Sequence, residues 1–341
     1  MSNTNTIKIG THNGHFHCDE IFACFLLKNL PRYADAEIIR TRDPKILAEC
    51  DTVVDVGGIF NAEQKRFDHH QKTFTDTFHS LRPEKPWTIK LSSAGLIYVH
   101  FGQEILKELL KKETMDDSVR EHLSKILFDK LYEYFVQEID AIDNGVDIGE
   151  NMKYRISTNL SARAGYFNPA WNDPNPTEKE ETGFKQAMEL IGKEFLDRFH
   201  DYIHRWWPAR SLLEQAIAKR FDIDSSGSIL VLDQPLPWRE HLFDIEQEEK
   251  EKLGDKIKYV LYPDSNKTWR IQAVPLNNKS FENRLSLHKQ WQGLRDDELS
   301  TKSGIPGCIF VHASGFIGGN ATYDGVLTMA RRSLELEHTK E

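Results

Sequence analysis

The sequence predicts an α/β fold, with a parallel-sheet N-terminal domain, a helical bridge and a smaller α+β C-terminal domain. Three observations carry this expectation. Short apolar runs alternate with helical periodicity through the N-terminal region, which is how a parallel sheet with crossover helices reads. Helical periodicity then dominates from residue 92 to residue 220, and beyond Gly227 the pattern turns to strand-like runs. A chain of 341 residues also exceeds what one core usually holds. The expected divisions are 1–150, 151–225 and 226–341.

Taken in order, residues 7–11 (IKIGT) form a strand, and Asp19 is placed to begin a helix through Ile21–Leu27. A second strand runs 36–41, and a short helix over 44–49 has Asp43 as its cap. A third strand, 52–56, reads as a buried run closed by Asp55 and two glycines. In such a sheet ligands gather at the strand C-terminal ends, where His12 and Asp55 both fall. After a loop to Lys90, helices are expected over 92–111 and 116–142, the second broken at Asn144-Gly145. Residues 168–181, dense in Pro, Asn and acids, mark a loop before a helical stretch over 182–220, whose Trp206 and Trp207 are expected to pack rather than bind. Strands follow at 228–232, 257–262, 269–274 and 308–311, with an acidic helix at 239–252. The tail 337–341 is expected to fray.

Hydrophobic content of 39% beside 28% charged residues is that of a soluble globular protein. No apolar run is long enough to span a bilayer, so no membrane partner is expected. The polar start, Met1 to Thr6, leaves no room for a signal peptide before the first strand. The expected location is intracellular, cytoplasmic or nuclear; the missing presequence argues only weakly against mitochondria. Four cysteines without CxxC spacing read as reduced thiols. The net charge of −9 excludes a protein that coats nucleic acid non-specifically. Between Asn266 and Arg295, however, six basic residues face only Glu282, with Trp269, Phe281 and Trp291 interleaved. That composition suits either a nucleic-acid groove or an ordinary basic face.

The chemistry concentrates in two clusters. Five of fourteen histidines fall at positions 12, 15, 17, 69 and 70, each near an aspartate: Asp19, Asp55 or Asp68. Imidazole and carboxylate hold divalent transition metals, and such metals activate water for hydrolysis. Asp140 and Asp143 crowd a helix C-terminus, where their charge opposes the macrodipole. A cation, an arginine or solvent would compensate for them; Asp143 is the stronger metal candidate and Asp140 the alternative. His15 reads as a surface or supporting histidine.

An Asp-His-His run with an upstream strand-end Asp and an N-terminal His-x-x-x-x-His-x-Asp loop is the pattern of the DHH phosphoesterase superfamily. The segments Thr11-His12-Asn13-Gly14, Phe16-His17-Cys18-Asp19-Glu20, Val54-Asp55-Val56-Gly57-Gly58, Arg66-Phe67-Asp68-His69-His70-Gln71, Ser92-Ser93-Ala94-Gly95, Ala141-Ile142-Asp143-Asn144-Gly145 and the stretch from Gly304 to Asn320 closely resemble the Myg-type (melanocyte-proliferating-gene) family, from Ile7 to about Leu336. The resemblance implies a DHH-type first domain and a DHHA1-like last one. It implies two manganese ions, one held by His12, His17 and Asp55, the other by Asp19, Asp55, His69 and Asp143, with a shared hydroxide attacking phosphorus. It also gives His70 and Asp68 catalytic roles, His70 meeting the phosphate or leaving oxygen and Asp68 orienting the histidine pair. Many superfamily members carry Asp where this chain has His17, and the gap from His12 is one residue longer. The imidazole moves the site from magnesium toward manganese or another first-row metal. Gly318, Gly319 and Asn320 look like a variant of the DHHA1 glycine motif, which approaches substrate phosphate through backbone amides. Asn320 stands where such domains commonly carry His. Arg284 and Arg295 are the expected phosphate contacts.

The function the resemblance implies is a manganese-dependent 3′–5′ exoribonuclease acting on single-stranded RNA ends. Two alternatives remain open: a phosphohydrolase for pyrophosphate or nucleotides, and a non-enzymatic, metal-stabilised interaction protein.

Overall fold

The computed structural model describes residues 6–251 and 253–338. The chain divides into two compact units, Met1–His200 and Asp201–Glu341. The helical stretch expected as a bridge is thus shared out, with everything to residue 200 in the first unit. Part of the expected frayed tail, 339–341, lies outside the described residues, and the last helix runs to His338. Among the described residues no helix is long and apolar enough to cross a membrane.

The first unit opens as expected. Strand β1 (Lys8–Thr11), helix α1 (Cys18–Lys28), β2 (Glu37–Arg40), α2 (Pro44–Ala48) and β3 (Thr52–Val54) alternate. Asp43 caps α2 by accepting the Lys45 N–H at 2.8 Å. Two further short strands, β4 (Phe60–Asn61) and β5 (Arg66–Phe67), complete a sheet of order β2-β1-β3-β5-β4. β1 pairs in parallel with β2 and β3, and β3 with β5; only β4 is antiparallel. The sequence reading missed β4 and β5 because two-residue strands carry no periodicity to detect.

Helices follow: α3 (Phe78–Leu81), α4 (Ser93–Leu110), α5 (Asp117–Leu131), α6 (Gln137–Asp143), α7 (Leu160–Gly165) and α8 (Pro176–Asp201), with α4 against β5 of the sheet. α1 is buried almost all round and packs on α4. α4 meets α5 where Tyr98 and Phe128 stack with centroids 5.1 Å apart. The approach is close at Gly102, where a Cβ would lie 2.9 Å from Phe128 Cε2. The expected helix over 116–142 is helical from Asp117 to Asp143, with a π-helical stretch, Tyr132–Val136, inside it. α8 starts inside the segment expected as a loop, because proline at a first helical turn gives up no needed donor.

In the second unit a π-helical turn (Tyr202–Trp206), α9 (Pro208–Ala218) and α10 (Arg220–Ile223) precede β6 (Ile229–Val231), α11 (Trp238–Glu248), β7 (Tyr259–Pro263) and β8 (Trp269–Ala273). They are followed by α12 (Asp296–Ser303), β9 (Cys308–Val311), β10 (Ile317–Asn320) and α13 (Tyr323–His338). The sheet runs β6-β7-β8-β10-β9, with only β6–β7 parallel. Strand alternation sorts its side chains. Ile229, Tyr259, Leu261 and Ile271 pack with Val326 and Met329 of α13, whereas Leu230 and Val260 pack with Leu213 and Leu242 of α9 and α11. Trp206 stacks on His241 at 3.8 Å, a packing role as expected.

The basic stretch 266–295 takes a different form from a stacking groove. Trp291 is core, and Trp269 packs on Tyr323 at 4.9 Å; of the three aromatics only Phe281 is fully exposed. Arg270 is paired with Asp264 at 2.5 Å. The Arg284 side chain is only 2% exposed, and its two terminal nitrogens meet Glu246 at 2.7 and 2.6 Å. Its guanidinium is therefore committed to a carboxylate in this structure, whereas Arg295 stands exposed beside Asp296. The sequence shows that these residues are basic or aromatic but not that Glu246, 38 residues earlier, claims one of them.

Removing one partner of such a buried pair strands the other charge, at a cost of about 3–5 kcal/mol. Arg284→Ala is therefore expected to lower the urea midpoint of the second unit by a matching amount. An unchanged midpoint would contradict the pairing.

Candidate metal centre

The centre lies entirely in the first unit. β1 ends at Thr11, so His12 stands just beyond a strand terminus, followed by a turn at Gly14 with φ of 88°. His17 caps α1, and Glu20 takes the His17 backbone N–H on its two oxygens at 2.9 and 3.0 Å. Acids in a first helical turn are favoured by the helix dipole, which helps hold Asp19 and Glu20 although both are fully buried. β3 ends at Val54, and Asp55 leaves it with φ of 58°, a left-handed conformation that Asp tolerates better than most side chains.

Three elements converge on Asp55. His12 Nε2 lies 3.3 Å from its Oδ2, and also 3.1 Å from Glu20. His69 Nε2 lies 3.3 Å from its Oδ1, and 3.0 Å from Asp143 Oδ2 at the end of α6. Ser93, in the first turn of α4, donates its hydroxyl to Asp55 Oδ1 at 3.0 Å and its N–H to Asp19 at 3.3 Å. Overlapping sets with donor atoms within 4.8 Å of one another are His12-His17-Glu20, His17-Asp19-Asp143, Asp19-Glu20-Asp55 and Asp55-His69-His70. Together they bring His12, His17, Asp19, Asp55, His69 and Asp143 into one cluster, and they add Glu20 and His70.

The donor chemistry fits a divalent ion. Asp19 Oδ1 and both ring nitrogens of His69 are buried without a hydrogen-bond partner among the described residues. The Nε2 approaches to Asp55 and Asp143 are close but lack hydrogen-bond geometry. Buried polar atoms ordinarily find partners, and a cation is a partner that imidazole and carboxylate lone pairs share. The charge state agrees. Burial, then the neighbouring Asp55, Asp143 and Glu20, push the Asp19 carboxyl well above its usual range. Burial lowers His12, but hydrogen bonds and charge from Asp55 and Glu20 outweigh it and push the imidazole up to about 10. Against the same burial, Asp143 and Asp55 raise His69 to about 9. Burial would also raise Asp55, yet His12 and His69 hold it below the usual carboxylate range. The pocket carries surplus negative charge that protons or a metal must balance.

Asp140 and Asp143 have separate tasks. Asp140 is fully buried and accepts from Ser92 N at 2.9 Å, Ser92 Oγ at 2.7 Å and Tyr132 OH at 2.9 Å. It ties α6 to the N-terminus of α4, and Gly95 makes room, since a Cβ there would collide with the carboxylate. Asp143 instead faces His69. Asp68 accepts from Gly58 N, and from the His70 N–H at 3.0 Å and ring Nδ1 at 2.8 Å, so it orients His70 alone. That turn folds the segment, so His69 and His70 are not separated as in an extended strand: their rings lie 4.4 Å apart. His15 contacts the His17 ring at 5.7 Å and belongs to none of the sets. Buried Cys18 belongs to none of them either.

Glu20 and Ser93 were missed as site residues, although the His17-x-x-Glu20 spacing is a capping signature and Ser92-Ser93 opens a helix. Also unforeseen is the bracing of the 12–17 loop. Asn168 both accepts from Phe16 N at 2.9 Å and donates to Phe16 O at 2.8 Å. Glu180 accepts from Gly14 N at 2.8 Å and pairs with Arg40 at 2.8 Å.

The substrate residues expected in the C-terminal domain sit in the second unit. Gly318 and Gly319 lie inside β10, where a Cβ would press on Phe310 O at 3.1 Å and on Arg270 Nη1 at 2.7 Å respectively. Asn320 is buried, donating to Pro306 O at 3.0 Å and accepting from Thr322 N at 2.9 Å ahead of α13. In this structure these three residues serve strand packing and a helix start.

Comparison with known proteins adds an independent finding. The model of the uncharacterised protein family UPF0160 (MYG1 exonuclease) matches residues 8–334. The MYG1 exonuclease of Mus musculus is 53% identical over 331 residues, covering 96% of this chain and 84% of its own. That of Homo sapiens is 52% identical over 331 residues, covering 96% and 85%. The MYG1 protein of Saccharomyces cerevisiae is 40% identical over 335 residues, covering 96% and 95%.

The raised His12 and His69 make metal binding a proton-coupled event. Both imidazoles keep their protons until pH passes about 9 to 10 in the metal-free protein, so an ion must displace them and its affinity will rise with pH up to that range. Calorimetric titration near neutral pH, in buffers of different ionisation enthalpy, is expected to show about two protons released, and one fewer in His69→Ala. Release of none would remove the imidazoles from the ion's shell.

Proposed function

This chain belongs to the MYG1 exonuclease family, and from that premise we propose that it is a metal-dependent phosphodiesterase shortening single-stranded RNA from the 3′ end. The observation that carries this reading is the convergence on Asp55. His12 comes from the end of β1, His69 from the end of β5, Asp19 from α1 and Asp143 from α6, and Asp19 Oδ1 and the His69 ring nitrogens make no hydrogen bond among the described residues. In this proposal the first unit is a DHH-type catalytic domain. His12, His17 and Asp55 hold one ion, Asp19, Asp55, His69 and Asp143 the other, and Glu20 supports the first. Mixed imidazole and carboxylate donors favour manganese over magnesium.

When bound, two such ions stabilise charge on the attacking and leaving oxygens and lower the pKa of water. The chain's own residues do the rest. Ser93 and the left-handed backbone at Asp55 hold the shared carboxylate in place. His70 is 62% exposed in its side chain, and Asp68 fixes its ring through Nδ1, which leaves Nε2 outside that hydrogen bond. The Asp68 hydrogen bond also raises the His70 imidazole, so it reaches a phosphate as a proton carrier, able to protonate the leaving 3′-oxygen. In the second unit the exposed Arg295 is better placed than Arg284 to meet phosphate.

The test is 5′-labelled single-stranded RNA incubated with manganese, beside His69→Ala and a chelated control. A ladder shortening from the 3′ end is expected, with His69→Ala slower by at least about 100-fold. Phosphate release from nucleotides or pyrophosphate with RNA left intact would move the protein to small substrates. No turnover on either, with metal still bound, would make the site structural.

A further inference from the structure

The segment that follows the metal centre is unlike the rest of the first unit's surface. It leaves α6 after Asp143 and runs exposed through residues 151–158 before α7. Tyr154 is 77% exposed, Tyr166 80% and Trp171 98%. Single exposed apolar residues are ordinary, but three large aromatic rings in one short segment leave much area facing water that burial would favour. Between Met152 and Asn172 there is no acid, while Lys153, Arg155 and Arg163 are present. Arg163 pairs with Glu194 at 3.1 Å; Lys153 and Arg155 are exposed. The segment is also joined to the centre. α7 packs on α1 and α6, and Asn168, between Tyr166 and Trp171, holds the Phe16 backbone beside His17 through two hydrogen bonds.

We infer that residues 152–171 are a stacking platform for the single strand being shortened, with Tyr154, Tyr166 and Trp171 on the bases and Lys153 and Arg155 on the phosphates. This rests on the nuclease reading above and moves strand recognition from the 266–295 stretch, where Trp291 and the Arg284 side chain are buried, to the first unit. Exposed rings and exposed cations in one segment suit a single-stranded nucleic acid, because every base offers a π-face and stacking needs no sequence. The platform therefore gives preference for length over sequence.

The test uses the full chain and a labelled oligouridylate of about twelve nucleotides, with binding read by fluorescence anisotropy. Trp171→Ala and Tyr166→Ala are each expected to weaken binding about tenfold, or ~1.4 kcal/mol. Trp171→Phe is expected to restore most of it. Removing Lys153 and Arg155 together is expected to lower the slope of log affinity against log salt by about 1.4. The ratio of kcat/KM for the long strand over a dinucleotide is expected to fall about tenfold in Trp171→Ala. If the wild type binds the strand and the variants bind it equally well, the platform is wrong while the nuclease reading stands. If those variants instead lose self-association in sedimentation, the aromatics are a protein contact and the platform is likewise wrong. If the wild type neither binds nor cuts any nucleic acid, both readings fall together.

Discussion

Asp55 supplies the interaction on which the first unit's architecture depends. Its two oxygens are shared by His12 after β1, His69 and His70 after β5, and Ser93 at the start of α4. One carboxylate thereby fixes the relative positions of three strand ends and a helix. Burying it is costly unless opposite charge and donors surround it, and each of these partners contributes one or the other. The left-handed backbone at Asp55 is a strain of the sort that persists only where surrounding contacts over-determine it. Glu20, Asp19 and Asp143 add further negative charge around the same point, beyond what two imidazoles balance. The fold holds in place an electrostatic deficit that a divalent cation is suited to fill.

The sequence showed the cluster because the chemistry of its residues is distinctive and the elements bearing them are regular. The runs around Val53 and Ile9 are short, mostly buried strands, and His12 and Asp55 fall at their ends. What the sequence did not show depends on geometry that leaves no periodic trace. The π-helical stretch at Tyr132–Val136 adds a residue to a helical turn and aims Tyr132 at Asp140. Without that turn in view, the sequence ranks Asp140 below Asp143 as a ligand but does not show its tie to Ser92 and Tyr132. Ser93 and Glu20 are common helix-start residues, and only the fold distinguishes a cap from a contact to Asp55 or His12.

The same limit explains the second unit. Counting basic and aromatic side chains in 266–295 gave a composition suited to phosphate and bases, but composition does not record direction. Trp291 points into the core, Arg284 meets Glu246, and the glycines of β10 admit neighbouring strands. In the first unit the reverse holds. Residues 152–171 carry basic and aromatic side chains without any acid, and it is their exposure that makes those side chains available.

The two-way amide clamp between Asn168 and the Phe16 backbone has a practical consequence for dissecting this protein. A fragment ending at residue 150 would contain every histidine and carboxylate of the centre. It would nevertheless lack Asn168 and Glu180, which grip the loop bearing His12 and His17. It would also lack Phe184, whose ring lies 4.7 Å from the Arg40 guanidinium. Gly183 sets the tolerance of that grip, because any side chain there would strike the Phe167 carbonyl and the Phe16 ring. The smallest self-sufficient piece is therefore defined by the scaffold rather than by the ligands, and a truncation meant to isolate the chemistry has to keep α8.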